Sequence, residues 1–361
     1  MHVINSIGIN DAYAQGLRYV CSNGELQGSR AGEVLVCPTP VSIVYEDPQQ
    51  RVLFDPARDA NPVFHIMEAL WLLAGRNDAK WLDQFVHDFS SRFAEDDGHL
   101  HGSYGFRWRH HFDMEGGGNP NLPDQIDTVV QMLKKDPLSR RAVLQMWDPA
   151  SDLNANKNDL PCNVCVMLRV REDRVVRNGT WVTQQFLDML VCCRSNDLVW
   201  GALGSNLVQF SVLLEYLAGR IGVSVGRYVQ CAFNLHLYTN ILGKLETPVP
   251  VVTYPGVLPM GEDWDRWDDD LKKFMAWTLL PSPESADLSY ANSWFKTTAE
   301  PMFCAHWLWK KGKRQQALNY LLWHEKGMAP DWYRALVEWM KRRLARMSKE
   351  QEEKVANVPG E

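Results

Sequence analysis

Three short clusters in the 361-residue chain combine residue types that could do chemistry: Pro161-Cys162-Asn163, Arg194-Ser195-Asn196-Asp197 and Ser139-Arg140-Arg141. Each stands at the end of a segment that reads as a strand, and strand ends are rigid platforms on which side chains from distant parts of a chain converge. A cysteine there becomes a nucleophile when nearby cations favour its thiolate. Arg140, Arg141 and Arg194 could supply that field, and their guanidinium forks also suit a phosphate. Most free cysteines are small core residues, so Cys162 alone points nowhere; its company points to a thiolate acting on an anionic ligand. Glu68 is a fourth candidate, the one acid in an apolar stretch, because a buried carboxylate is costly unless it is paired or used. The competing reading places Glu68 on the exposed face of its helix.

The elements that must hold these groups follow from periodicity and punctuation. Val34 to Phe54 reads as strands joined by the turn Asp47-Pro48-Gln49-Gln50. Asn61-Pro62 opens a buried helix, Val63 to Ala74, closed by Gly75 and carrying Glu68. A Gly- and aromatic-rich stretch (Tyr104, Phe106, Trp108) precedes a short amphipathic helix from Asp124 to Lys135. Arg141 to Trp147, Val164 to Val170 and Leu187 to Cys193 are apolar runs suited to a sheet interior. Leu207 to Ala218 has helical spacing ending at Gly219, Val223 to Gly226 reads as a turn, and Tyr228 to Phe233 as a strand leading to His236 and Tyr238. The pattern is α+β, a mixed sheet with flanking helices. Past Thr247 the prolines Pro248, Pro250 and Pro255 mark an irregular connection to a helical, Trp-rich and increasingly basic region. The expected division is a unit over 1–246, a helical C-terminal extension packed on it over 247–347, and a charged tail over 348–361.

Composition narrows the classes. With 45% hydrophobic residues the chain can bury a core without staples. The first ten residues lack a basic segment followed by an apolar run, so the eight cysteines are expected to be reduced. Cys162 and Cys165 have no second CxxC or histidine pair, and no metal is expected. A net charge of −6 does not suit a protein that wraps nucleic acid. No apolar run reads as long enough to span a bilayer, for which roughly 18 to 20 residues are needed, so a cytoplasmic protein without a membrane partner is expected.

In chain order the clusters resemble the thymidylate synthase family, including its pyrimidine-nucleotide hydroxymethylase branch. The resemblance runs from Gly28 to Tyr238. Arg30 stands where the family has an N-terminal phosphate-binding arginine, and Glu68 falls in His65-Ile66-Met67-Glu68-Ala69-Leu70-Trp71, like the family's glutamate helix. Tyr104-Gly105-Phe106-Arg107-Trp108-Arg109 is similar to its Tyr-Gly-x-x-Trp-Arg segment, and Ser139-Arg140-Arg141 to the arginine pair that crosses a dimer interface to the neighbour's phosphate. Cys162 then falls on the nucleophile, and Arg194, Ser195 and Asp197 on the phosphate-binding and folate-side motif. Asn206 falls near the pyrimidine-reading position, although strict spacing lands on Ser205, and His236 and Tyr238 fall on the sugar-binding pair. The resemblance implies a homodimer acting on a pyrimidine nucleoside monophosphate with 5,10-methylenetetrahydrofolate as co-substrate. Cys162, Glu68, Asp197 and Tyr104 would be catalytic, and Trp108, Asp197 and Trp200 would face the folate. The chemistry suits these residues: a thiolate added at C6 makes C5 of the pyrimidine nucleophilic, and a partly buried carboxylate can move protons and position water.

The departures from the synthase pattern are informative. Asn163 replaces the histidine that usually follows the nucleophile, Asn196 gives Arg-Ser-Asn-Asp as in phage hydroxymethylases, and the apolar C-terminal lid is not recognisable in Asn357-Val358-Pro359-Gly360-Glu361. Without closure, water rather than hydride reaches the transferred carbon. The expected product is 5-hydroxymethyl-dUMP, with thymidylate synthesis or hydroxymethylation of dCMP or CMP as alternatives. An amide at Asn206 suits uracil, where a carboxylate would suit cytosine. Two other classes compete: a catalytically silent nucleotide- or RNA-binding regulator, which has no need of Cys162, and a cysteine hydrolase, which lacks its histidine and Asn/Asp signature.

Overall fold

A computed structural model of the protein describes residues 1–112, 124–245, 253–283 and 287–356, with side chains through Ser348. Its frame is a mixed eight-stranded sheet of β1 (His2–Ser6), β2 (Glu25–Ser29), β3 (Gly32–Val36), β4 (Val41–Tyr45), β5 (Val143–Gln145), β6 (Asn163–Arg177), β7 (Thr180–Asp197) and β8 (Ser224–Tyr238). The order is β1-β4-β8-β7-β6-β5, and the β2–β3 hairpin joins through β3 to β8. The β1/β4 and β7/β8 pairs are parallel; the others are antiparallel.

In β6 the buried Val166, Leu168 and Val170 alternate with the exposed Met167 and Arg169, the period-2 signature of a strand with one covered face. At the tip of the long β6–β7 hairpin, Asn178 and Gly179 both take left-handed conformations (φ 49° and 77°), which closes a two-residue turn matched to strand twist. On the covered side lie the helices α2 (Pro62–Leu73) and α4 (Asn206–Ile221), which pack on each other; α1 (Ile9–Asn23) and α3 (Gln125–Lys135) complete the layer. The Asn61 side chain accepts hydrogen bonds from the Val63 and Phe64 amides, Pro62 opens α2, and Gly75 at φ 66° follows its end.

The α+β frame and the glutamate-bearing helix match expectation; several boundaries do not. The strands read from apolar runs extend well past them, because the outer halves of β6 and β7 are mostly polar and solvent-facing, with only short apolar pairs such as Val175-Val176 and Trp181-Val182. The strand expected at Arg141–Trp147 shortens to β5, and Arg51–Phe54 forms none. The turn expected at Val223–Gly226 is displaced: Gly222 turns the chain at φ 89°, and β8 begins at Ser224. Gly219 does not end α4 but lies inside it, where any Cβ would overlap the Trp264 ring. The expectation that no apolar run is long enough to span a bilayer is corrected by Leu198–Ile221, which passes by length and composition; its surroundings are protein, most of it being buried against the sheet and α2.

The C-terminal region supplies α5 (Trp267–Trp277), α6 (Glu300–Lys310), α7 (Arg314–His324) and α8 (Pro330–Ala356), so α8 carries helical backbone into the segment read as a tail. The boundary expected at 246/247, the prolines Pro248 and Pro250, and the end from Asn357 to Glu361 lie outside the described residues. The region shares the hydrophobic core and is tied to it by polar contacts. Glu215 of α4 pairs with Arg51 at 2.5 Å and accepts from the Met260 amide at 2.8 Å. The Tyr254 hydroxyl accepts from the Val52 amide and donates to Asp331, and the Trp81 indole donates to Thr278.

The short helical turn Tyr104–Phe106 lies so close to α2 that a Cβ on Gly105 would overlap the Leu72 carbonyl. Backbone cannot move aside as a flexible side chain can, so Gly105→Ala is expected to destabilise by roughly 1–3 kcal/mol. The shift should appear in the urea midpoint at unchanged m; an unaltered midpoint would mean that this packing is looser than the geometry indicates.

Candidate active site

The register of β6 against β7 pairs Asn163 with Cys193, which sets Cys162 opposite Arg194; the Arg194 amide donates to the Cys162 carbonyl at 2.9 Å. The Arg194 side chain folds back, with Nε donating to the Pro161 carbonyl at 3.0 Å and Nη2 to that of Leu160 at 3.3 Å. Its guanidinium sits over Trp147 at 5.3 Å. Parallel pairing then sets Ser195 beside Asn234 and Asp197 beside His236. On the other side of β8, β3 lays Val36 against His236 and Val34 against Tyr238, and the β2–β3 turn carries the exposed Arg30. One end of the sheet thus gathers Arg30, Cys162, Arg194, Ser195, Asp197, His236 and Tyr238.

Cys162 is half-buried and lines a cavity of about 210 Å³ with Glu68, Tyr104, Asp159, Asn206 and Gln209. Burial pushes its thiol above the ordinary value, and Asp159 and Asp197 add to this; Arg194 and Arg30 oppose it. The arginines therefore act in the expected direction, but desolvation outweighs them and the resting sulfur is a thiol. Asn163 is fully buried, its amide donating to the Cys192 and Cys165 carbonyls at 3.0 and 3.2 Å, and it anchors the bulge that begins β6.

Glu68 is buried, which excludes the exposed-face reading. Desolvation raises its pKa to about 7, partly offset by the Ser205 and Gln209 side chains. One carboxylate oxygen, Oε2, has no hydrogen-bond partner, nor has Gln209 Oε1. Two unpartnered polar atoms facing one cavity suit water or a polar ligand. Tyr104 stacks on Phe210 at 5.7 Å, and burial beside Cys162 holds its phenol well above the usual range. It remains a proton donor, not a phenolate.

The remaining expected residues divide. Asn206 is buried and donates to Asn196 Oδ1 at 3.3 Å, whereas Ser205 bears on Glu68, so the neighbours face different parts of the site. Asp197 accepts from the Val199 and Trp200 amides through Oδ1 and leaves Oδ2 unpartnered. Trp200 is exposed, with the Arg58 guanidinium 4.0 Å over its ring. Trp108, expected on the folate side, is 1% exposed, packs near Tyr104 and Phe210, and lines neither large cavity; it supports Tyr104 from behind. Arg140 and Arg141 are exposed and line neither cavity, so within one chain they are not brought to Cys162.

Sequence reasoning passed over Asp159, Gln209 and Arg58. Asp159 accepts from the Gly102 amide at 3.1 Å, and its position three residues before Cys162 was a usable signal. Gln209 lies one helical turn beyond Ser205 and Asn206, another usable signal. Arg58 is buried, donating to the Val199 carbonyl at 3.2 Å, and no local pattern marks it. A second cavity of about 1240 Å³ opens from Glu68 and Ser205 toward the C-terminal helices. Among the described residues no group of His, Cys, Asp and Glu could hold a metal ion.

The thymidylate synthase family model matches residues 11–254. The chain belongs to the thymidylate synthase family. Among family relatives, it is 36% identical over 363 residues to the deoxyuridylate hydroxymethyltransferase of Pseudomonas phage M6, covering 96% of this chain and 95% of that one. It is 35% identical over 238 residues to the protein of the same name from Bacillus phage SP01, covering 64% and 57% respectively. Similarity to the thymidylate synthase of Buchnera aphidicola is 29% over 194 residues, 54% of this chain and 66% of that one.

Because the native state holds the Glu68 proton more tightly than the unfolded chain, wild-type stability should fall as pH rises from about 4.5 to about 7. Glu68→Gln removes that loss, so its stability relative to wild type should grow across the same window and level off above it. Urea unfolding at several pH values measures this, and a pH-independent difference would contradict the burial argument. Alkylation of Cys162 by iodoacetamide should be slow at neutral pH and rise on the alkaline side, and Arg194→Ala should slow it further.

Proposed function

We propose that this protein is a one-carbon transferase that converts dUMP, 5,10-methylenetetrahydrofolate and water into 5-hydroxymethyl-dUMP and tetrahydrofolate. One observation carries the choice of product: the likeness to the phage M6 deoxyuridylate hydroxymethyltransferase runs through nearly the whole of both chains, C-terminal region included. The match to the Buchnera synthase covers about half of this chain.

Arg30, Arg194 and Ser195 hold the nucleotide phosphate, and the Arg30 and Arg194 charges also favour ionisation of Cys162. His236 and Tyr238, edge-to-face at 5.5 Å, receive the sugar hydroxyl. Asn206, held through its amide by Asn196, offers an acceptor and a second donor to the base edge, which suits uracil N3–H and O4. The Cys162 thiolate adds at C6, making C5 nucleophilic. Bound in the larger cavity, the folate supplies a carbon at the oxidation level of formaldehyde; the unpartnered Glu68 oxygen and the Trp200 face suit its polar, flat ring. C5 bonds to that carbon. Tyr104, un-ionised beside Cys162, orients the water that accepts the C5 proton, and the electron pair left behind breaks the carbon–nitrogen bond to the folate, so tetrahydrofolate departs and an exocyclic methylene remains on the ring. Glu68, with a pKa of about 7, takes a proton from the water that adds to the new exocyclic carbon. Release of Cys162 restores the pyrimidine double bond.

Arg140 and Arg141, exposed beside the sheet, reach the phosphate of a second subunit in a homodimer.

Incubation with dUMP should yield hydroxymethylated nucleotide and tetrahydrofolate in equal amounts by mass spectrometry; methylated nucleotide with dihydrofolate would identify a synthase instead. Asn206→Asp should lower use of dUMP and raise use of dCMP, and an unchanged base preference would remove Asn206 from base reading. Mixing inactive Cys162→Ala subunits with inactive Arg140→Ala/Arg141→Ala subunits should restore activity, since the second kind keeps its sulfur and borrows the partner's arginines. No recovery in a proven mixed dimer would place both arginines outside the site.

A further inference from the structure

Helix α2 carries only two ionisable residues, His65 and Glu68, in an otherwise apolar sequence, and their spacing of i, i+3 sets them on one face, one turn apart. Both line the larger cavity, and of the two only Glu68 also lines the Cys162 cavity. Glu68 thus stands at the junction of the two spaces, with His65 beside it on the wall of the larger one. His65 is 7% exposed, so its imidazole has lost almost all of its water. Among the described residues the ring makes no hydrogen bond: burial and the Arg58 charge are the only influences on its proton. A buried imidazole without a partner is costly, and one on a cavity wall is satisfied by what enters that cavity.

The neighbours of His65 are already engaged elsewhere. Asn61, one turn before it, uses Oδ1 to accept from the Val63 and Phe64 amides and Nδ2 to donate to the Phe85 carbonyl. Arg58 donates to the Val199 carbonyl and lies over the Trp200 ring. His306, a second buried histidine on the same cavity, belongs to α6 and lies among the rings of Phe85 and Trp339, at 5.4 and 6.5 Å. Desolvation, with the Arg58 charge adding to it, pulls the His65 pKa down to about 3. The ring is therefore neutral near pH 7, with one nitrogen donating and the other accepting, and it is a poor base.

We infer that His65 holds the water that adds to the exocyclic methylene: its acceptor nitrogen takes a hydrogen bond from one O–H of that water while the Glu68 carboxylate takes the other proton. The inference rests on the proposed function. The water oxygen bonds to the exocyclic carbon, and the electron pair of the exocyclic double bond moves toward the C4 carbonyl as an enolate. One water proton passes to Glu68. The enolate then restores the ring double bond as Cys162 leaves C6 as a thiolate. His65 keeps its hydrogen bond to the remaining O–H, which becomes the hydroxyl of the product, and its own protonation does not change.

Competition between two nucleophiles tests this on the full chain, with dUMP tritiated at C5, methylenetetrahydrofolate and excess 2-mercaptoethanol. The thiol, reacting as its thiolate, adds to the exocyclic methylene without a base or a held water and gives a thioether nucleotide in place of the hydroxymethyl one. Tritium release counts every turnover that reaches the methylene. His65→Leu should lower hydroxymethyl product about tenfold, the effect of one hydrogen bond missing from a transition state, with a smaller fall in tritium release, so the ratio of thioether to hydroxymethyl product rises about tenfold. His65→Asn and His65→Gln carry amides near the positions of the two ring nitrogens, and at least one of them should return the ratio toward the wild-type value. The ratio is internal to each preparation, so a misfolded fraction does not move it. An unchanged ratio in His65→Leu, or no return in either amide variant, would overturn the role of His65 and leave the proposed function standing. Methylated nucleotide and dihydrofolate from wild type would overturn the proposed function and the inference with it.

Discussion

A single rung of antiparallel ladder, the hydrogen bond from the Arg194 amide to the Cys162 carbonyl, organises the reactive end of the molecule. It fixes the sulfur beside a guanidinium 32 residues away, and because side chains alternate with period 2, a slip of one residue would send one of them to the opposite face. Every neighbouring placement inherits this register. The β7–β8 pairing carries it to Asp197 and His236, and the β3–β8 pairing carries it on toward Tyr238 and the turn that bears Arg30. The Asn178-Gly179 turn closes the hairpin in one register, and the buried amide of Asn163 holds the bulge where the reactive segment enters it.

Around that frame the candidate site groups are neutral at rest. Desolvation is the largest influence on Cys162, Glu68 and Tyr104, and in each it favours the protonated form. The nearby cations are too few to reverse this, so the site is poised and not pre-ionised. A low-dielectric setting strengthens electrostatic contacts with any charged ligand. It also places Glu68 where it can give and take a proton near neutral pH.

The C-terminal helices are not an ornament on a finished domain. Their side chains join the same hydrophobic core, and buried polar contacts at Glu215, Tyr254 and Thr278 tie them to the sheet and its helices. They also form one wall of the larger cavity, so the space beside Glu68 is bounded jointly by the family-matched segment and by the region that follows it.

Much was determined by the sequence alone. The α+β class, the helix bearing Glu68, the strands around Val164–Val170 and Leu187–Cys193, and the clustered identities of Cys162, Arg194, Asp197 and His236 are local patterns, legible because periodicity and short motifs act over a few residues. The Asn178-Gly179 turn was equally legible and went unread, so the polar halves of β6 and β7 were missed. Tertiary structure alone decided the rest. Burial turned Glu68 from an ambiguous helix acid into a group titrating near neutrality, and put Trp108 behind Tyr104 instead of on the cavity wall. Close approach of Trp264 kept Gly219 inside its helix. Contacts across more than 280 residues brought Arg342, Arg343 and Arg346 to Asp59. Desolvation and long-range proximity depend on what the whole chain lays over a residue, and no local pattern contains that.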